Sequence, residues 1–249
     1  MPASLHPCRS VIVLRSLLTY VGVSLYVLVA APVGMILALV FRSQPALYFL
    51  GHAGVRLALA LSGVRFVVAG RPHIPLDRAA VFCSNHQSNV DPPVLFEALH
   101  PRMHILYKAE IDRIPLLARA FRVGGFIPID RRRKETAMRA IEAGAAALRA
   151  GNSFLIFPEG TRSRTGELLP FKKGGLLMAI KAGVPVVPVA VQGGQDVMPR
   201  GGRWLYPATI SIRVGAPIET AGRDPDERGE LVAEVRERIK ALLAQGPLS

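Results

Sequence analysis

The spacing of apolar residues divides the chain near residue 64. From Ser16 to Phe41, 26 consecutive positions carry no charged side chain, and a hydrocarbon core of ~30 Å is crossed by about 20 apolar residues in a helix. The run is apolar on all faces, the pattern of a helix in lipid rather than on the surface of a soluble domain. Pro32 and Gly34 interrupt it, so a kinked span and a helix dipping into one leaflet both fit. A second stretch, residues 46–64, contains His52 and Arg56 and reads as amphipathic or interfacial. A cleaved signal would stop after about 7–15 apolar residues at a small-residue site, whereas this run continues past Ala30-Ala31 to Phe41. Residues 1–63 are therefore expected to form an apolar two-helix membrane anchor.

After residue 64 the pattern shortens. β-type runs at residues 65–69, 80–84, 104–107, 126–129, 154–157, 186–191 and 210–214 alternate with helical stretches, which predicts an α/β domain over 64–249. Pro92-Pro93 opens a helix over 94–99, Pro115 opens one over 116–121, and a third over 135–149 stops at Gly151. A fourth covers 175–182. At the carboxyl end Asp224, Pro225 and Glu227 form a cap, first-turn proline and capping box. The stripe Leu231, Val235, Ile239 and Leu242 then predicts a helix packed on the domain's flank.

Half of the residues are hydrophobic and 20% are charged, which excludes a disordered chain. Lys and Arg number 31 against 18 Asp and Glu, a net charge of +13. That excess suits an anionic partner such as nucleic acid, a phosphorylated metabolite or an acidic lipid surface. The six charged residues before Asp77 are all arginines, so the apolar end is also a basic end. Aromatic residues are only 6% and no stacking platform or recognition motif occurs, which argues against nucleic acid. Cys8 and Cys83 form no CxxC, so a disulfide scaffold and a zinc ribbon are both excluded, and a reducing compartment is expected.

Three segments carry candidate chemistry, and a fourth frames a pocket without chemistry of its own. The first, Asn85-His86-Gln87-Ser88-Asn89-Val90-Asp91-Pro92, lies between a strand and a proline-initiated helix, where open α/β sheets hold their ligands. A turn there can fold the Asp91 carboxylate onto Nδ1 of His86, fixing the tautomer and leaving Nε2 as a base. By spacing alone, a plain helix cap at Asp91 and a structural histidine remain open. Cys83 and Ser88 lack the G-x-S-x-G elbow or a cysteine-enzyme signature, and His100 and His104 lack a metal-ligand spacing. A base without a covalent intermediate or a metal is the expectation.

The second segment, Phe157-Pro158-Glu159-Gly160-Thr161-Arg162-Ser163, is again a loop at a strand's end, and Arg162 offers a planar fork suited to phosphate or carboxylate. The alternative is a solvated turn with an Arg–Glu pair. No Walker loop is present. The third runs from Gly124 through Pro128 to Asp130-Arg131, where Arg131 at the strand terminus is placed to meet an anion and Arg132, Arg133 and Lys134 read as a solvated face. The fourth, Val184-Pro185-Val186-Val187-Pro188-Val189, reads as a strand shaping a pocket wall.

In this order the four segments resemble the conserved blocks of the glycerolipid acyltransferase superfamily, in particular the 1-acyl-sn-glycerol-3-phosphate acyltransferases, over residues 64–191. Asn85-His86-x-Ser88-x-x-Asp91 is similar to that family's N-H-x-S-x-x-D block; Phe126 to Arg131, Phe157 to Ser163 and Val187-Pro188-Val189 are similar to the second, third and fourth. Pro128 departs from the second block by removing a backbone donor. The resemblance implies a mixed sheet flanked by helices, with His86 and Asp91 catalytic and no metal or prosthetic group. Arg131, Glu159, Gly160, Thr161 and Arg162, helped by Lys108, would hold the glycerol phosphate of lysophosphatidic acid. Acyl-CoA or acyl-carrier protein would donate the acyl chain at the cytoplasmic face of the inner (plasma) membrane, among membrane lipids. Acylation of a lyso-ornithine lipid or another lysophospholipid, and non-catalytic binding of anionic lipid, are the competing readings.

Overall fold

The computed structural model describes residues 8–129 and 134–248. Two helices, α1 (Arg9–Leu39) and α2 (Gln44–Ser62), open the chain as an antiparallel hairpin. Small residues make the close seam possible: Leu61 packs on Gly22, Leu47 on Gly34 and Tyr26 on Gly54, and the Tyr26 hydroxyl donates to the Leu50 carbonyl at 2.8 Å. Pro32 sits inside α1 without ending it. The reversal falls instead at residues 40–43, with Arg42 at a positive φ of 51°.

Seven strands follow: β1 (Arg65–Ala69), β2 (Val81–Ser84), β3 (Met103–Lys108), β4 (Ile127–Ile129), β5 (Ser153–Ile156), β6 (Val186–Gln192) and β7 (Thr209–Val214). Between them lie α3 (Asp91–Leu99), α4 (Pro115–Val123), α5 (Lys134–Arg149), α6 (Gly174–Ala182) and the short α7 (Gly194–Val197), and α8 (Arg228–Ala244) closes the chain. Every predicted run and helix is present. The cap at Asp224 differs in detail: its side chain accepts from the Asp226 amide at 2.8 Å and starts a 3-10 turn over Pro225–Glu227, after which α8 begins.

The strands form one mixed sheet in the order β1-β7-β6-β2-β5-β3-β4. All neighbours are parallel except β6 and β7. Helices cover both faces, so the central strands β2 and β5 are buried throughout and read in sequence as unbroken apolar runs. One core joins Phe82, Leu95, Leu155 and Ile212 with Tyr48 of α2. The other joins Val81, Phe154, Met178 and Leu148 with Leu231, Val235 and Ile239 of α8. Pro128 fits because β4 is the edge strand, paired with β3 alone, where one missing donor costs little.

The hairpin is fastened to the domain rather than tethered by a linker. The Leu205 amide donates to Ser16 Oγ at 2.8 Å, the Tyr20 hydroxyl to the Arg203 carbonyl at 2.6 Å and the Tyr48 hydroxyl to the Gly124 carbonyl at 2.8 Å. Glu97 on α3 meets both His52 Nδ1 and Arg56 Nε of α2 at 2.6 Å. The hairpin and the α/β domain thus share one hydrophobic core through Tyr48. Among the described residues α1 is the helix long and apolar enough to cross a membrane; α2 is not. Leu14, Leu25 and Leu28 on α1 are 59–60% exposed, an outward apolar face that the protein itself leaves uncovered.

Candidate active site

Because β6, β2, β5, β3 and β4 run the same way, their carboxyl ends stand side by side, each about 4.8 Å from the next. The segments at these ends therefore share one edge of the sheet: Gln192 to Gly194, Asn85 to Asp91, Phe157 to Ser163 and Lys108. Open α/β sheets bind ligands at this edge. Three of the sequence candidates, Asn85 to Asp91, Lys108 and Phe157 to Ser163, are collected by topology alone.

The turn after β2 is held from every side. Asn85 Nδ2 donates to the Val191 carbonyl at 2.9 Å and Asn85 Oδ1 accepts the Val191 amide at 2.8 Å, so a side chain extends the β2–β6 pairing past Ser84. The His86 amide donates to Glu159 Oε1 at 2.7 Å, and the His86 carbonyl accepts the Ser163 amide at 2.8 Å. The first and third sequence blocks are locked together through His86. Its ring stacks on Phe157 with centroids 4.2 Å apart.

His86 Nδ1 lies 2.9 Å from Asp91 Oδ2. The same oxygen accepts the amides of Gln87 and Ser88, each at 2.7 Å. Asp91 is the first residue of α3 and fully buried, a position where the helix dipole favours a carboxylate. The plain helix-cap reading does not hold, because the N-cap position is Val90 and the two amides that Asp91 accepts precede the helix; its Oδ2 orients the imidazole and ties the turn together. His86 keeps 16% of its side chain exposed, and Nε2 makes no hydrogen bond among the described residues. Neither alternative nucleophile is available. Cys83 is fully buried, which pushes its thiol pKa up, with Glu159 nearby adding to the shift. Ser88 is buried and donates to the Met198 carbonyl at 2.7 Å.

The expected acceptor residues are placed unequally. Glu159 is 3% exposed, with Oε1 on the His86 amide and Oε2 on the Leu169 amide at 3.0 Å. Burial pushes its carboxyl pKa up, and these two backbone donors pull the other way. Both oxygens face the protein, unlike the substrate-facing position expected from sequence. Gly160 turns the chain at φ 70°, with the Lys172 side chain where its Cβ would lie. Thr161 is exposed and Arg162 half-buried; the Arg162 carbonyl accepts from Arg200 Nη1 at 2.6 Å. Lys108, exposed at the end of β3, pairs with Glu110 at 2.9 Å. Arg131 lies outside the described residues, two positions beyond the last described residue of β4.

The profile of the family described as Acyltransferase matches residues 65–192, from the first residue of β1 to the last of β6. The chain belongs to the acyltransferase family. A 1-acyl-sn-glycerol-3-phosphate acyltransferase of Pseudomonas aeruginosa is 32% identical over 190 residues, which cover 76% of this chain and 71% of that one. The human 1-acyl-sn-glycerol-3-phosphate acyltransferase alpha is 34% identical over 177 residues, covering 71% of this chain and 62% of that protein. The chain therefore spans less than two thirds of the human relative. The crystal structure of the 1-acyl-sn-glycerophosphate acyltransferase of Thermotoga maritima superposes with a TM-score of 0.75 at 28% identity, covering 93% of this chain and 97% of that one. The matched stretch of this acyltransferase holds Asn85 to Asp91, Lys108 and Phe157 to Ser163, while Gly193, Gly194, the hairpin and α8 lie outside it.

A cleft of about 350 Å³ opens at Gln87, next in the chain to His86, lined also by Gly166, Gln192 and Gln195 among others. A second, of about 380 Å³, lies between α2 and the Pro101-Arg102 corner that precedes β3, at the opposite edge of the sheet. Sequence reasoning passed over two residues that shape the site. One is Phe157 as a platform for the imidazole. The other is Gly194, whose signal was the Gly193-Gly194 pair directly after β6.

Proposed function

We propose that this acyltransferase moves an acyl chain from acyl-CoA or acyl-carrier protein to the sn-2 hydroxyl of 1-acylglycerol-3-phosphate, making phosphatidic acid, with His86 as general base and Asp91 as its orienting partner. The observation that carries the reading is the 2.9 Å contact of His86 Nδ1 with the buried Asp91, in a chain similar to enzymes named for that acceptor. Nδ1 donating to the carboxylate leaves the Nε2 lone pair as the proton acceptor. Nε2 takes the hydroxyl proton as the oxygen forms its ester bond with the thioester carbon. The carbon–sulfur bond breaks, and the thiolate takes the proton back from the imidazolium.

Asp91, itself fully buried, opposes the imidazolium charge where Coulomb terms are strong. A thiolate with a pKa of about 8.5 leaves without strong acid assistance. One base and good positioning are therefore enough, and the reading needs no metal or prosthetic group. Arg162 and Arg131, with Thr161, Gly160 and Lys108, would receive the acceptor phosphate through charge-assisted bonds. Glu159 enters the proposal in another role, as a brace holding the His86 backbone. The exposed apolar face of α1 would sit in one leaflet, with α2 returning the chain to the domain on the cytoplasmic face, where the acyl donor is found.

The test uses the full chain purified in detergent, with labelled acyl-CoA or acyl-carrier protein and a panel of lysophosphatidate, other lysophospholipids and a lyso-ornithine lipid. Labelled phosphatidic acid as the main product is the expected result. Label confined to another lysolipid would reassign the acceptor, and no transfer to any of them would overturn the reading.

A further inference from the structure

Gly194 stands outside the four blocks, at the start of α7, yet its Cα lies directly behind the dyad. A Cβ built at this position would overlap Asp91 Oδ1 and come within 3.1 Å of Ser88 Cβ. Its backbone is not in the left-handed region that demands glycine: Gly193 is, at φ 89°, and Gly194 is not. The requirement for glycine at 194 is therefore one of space.

We infer that Gly194 is a positioning residue for the proposed reaction: by presenting bare backbone it lets the Asp91 carboxylate lie in the plane that holds His86. Asp91 binds through one oxygen. Oδ2 accepts the imidazole and two amides, while Oδ1 is buried and has no hydrogen-bond partner among the described residues. The three donors on Oδ2 set the rotation of the carboxylate, and that rotation puts Oδ1 in the space a Cβ at position 194 would need, so only bare backbone leaves it open. A methyl group there leaves two ways out. The carboxylate turns, and Oδ2 leaves its three donors. Otherwise α7 retreats, but its end is tied to the same turn, since Ser88 Oγ donates to the Met198 carbonyl at 2.7 Å and the Met198 amide to the Gly194 carbonyl at 3.0 Å. Either way the disturbance reaches the imidazole.

The inference rests on the His86–Asp91 reading, and its test separates the two. Gly194→Ala should lower kcat by about tenfold or more, up to the loss seen for Asp91→Ala, with the KM for lysophosphatidate little changed, as expected when a base loses its orientation. Placed in an Asp91→Ala background, where no carboxylate remains to collide, Gly194→Ala should cost nothing further. Normal turnover in Gly194→Ala, or a double variant whose loss is the product of the single losses, would overturn the inference. If Gly194→Ala does not fold, the Gly194→Ala/Asp91→Ala double variant should fold as well as Asp91→Ala; a double variant that also fails to fold overturns it. A readout independent of turnover is the low-field proton resonance of the imidazole Nδ1–H bonded to the carboxylate, assigned by its loss in His86→Ala. It should disappear in Gly194→Ala, and its persistence overturns the inference whatever the activity. A wild-type enzyme that shows the resonance but acylates no lysolipid would instead defeat the functional reading alone.

Discussion

His86 and Asp91 are joined to the backbone as firmly as to each other, and that separates what their variants should do. Asp91→Asn can keep a carbonyl oxygen toward the Gln87 and Ser88 amides, so the turn survives, but the negative charge facing the imidazole is lost. Turnover should fall by ~10²–10⁴ for His86→Ala and nearly as far for Asp91→Asn, with thermal unfolding close to wild type; a His86→Ala enzyme with near-normal kcat would end the mechanism. Glu159 makes a different prediction. Its two oxygens accept the His86 and Leu169 amides, so Glu159→Gln turns an NH₂ group toward one of those donors, at a cost of about 1–3 kcal/mol. The expected outcome is a lower unfolding temperature and a lower kcat without a matching rise in the acceptor KM. A rise confined to that KM would return Glu159 to the substrate.

At the scale of elements, the hairpin of α1 and α2 has two faces with separate duties. One is bonded to the domain through Ser16, Tyr20, Tyr48 and His52; the other exposes Leu14, Leu25 and Leu28. Deleting the hairpin would strip Phe96 of its Tyr48 and His52 neighbours and leave Glu97 without His52 and Arg56. Deletion thus confounds membrane release with misfolding. Changing the three leucines to glutamine removes apolar area worth roughly 1.5–3 kcal/mol per side chain in lipid while leaving the bonded face intact. This variant should move from the carbonate-washed membrane pellet toward the supernatant and keep its cooperative unfolding transition. Retention in the pellet would assign anchoring elsewhere.

For the whole molecule, one buried histidine links global stability to pH. His104 is 5% exposed among Tyr48, Phe126 and Phe154, and both ring nitrogens lack partners among the described residues. Burial lowers its pKa to about 4, against about 6.5 in an unfolded chain. Between those values the unfolded state binds a proton that the folded state refuses, so stability falls as pH drops from about 6.5 to about 4, by an amount on the order of 3 kcal/mol. Denaturant titrations of wild type and His104→Phe across that window should show the steeper decline in wild type; equal slopes would refute the linkage. Topology offers a second global test, because the acyl donors proposed above would need a cytoplasmic site: protease outside sealed, right-side-out vesicles should leave the domain intact. Local pattern was sufficient for the element boundaries, since prolines, glycines and apolar periodicity act within a few residues of where they stand. It was sufficient too for the contact of His86 with Asp91, five positions apart in one turn. What required the tertiary structure were contacts between residues far apart in the chain. Glu159 bonds to a residue 73 positions earlier, Ser16 to one 189 positions later, and Gly194 touches an aspartate of another turn. Pro128 is harmless because strand order puts β4 at the edge. Such partners are chosen by the packing of the sheet and its helices, which no window of sequence contains.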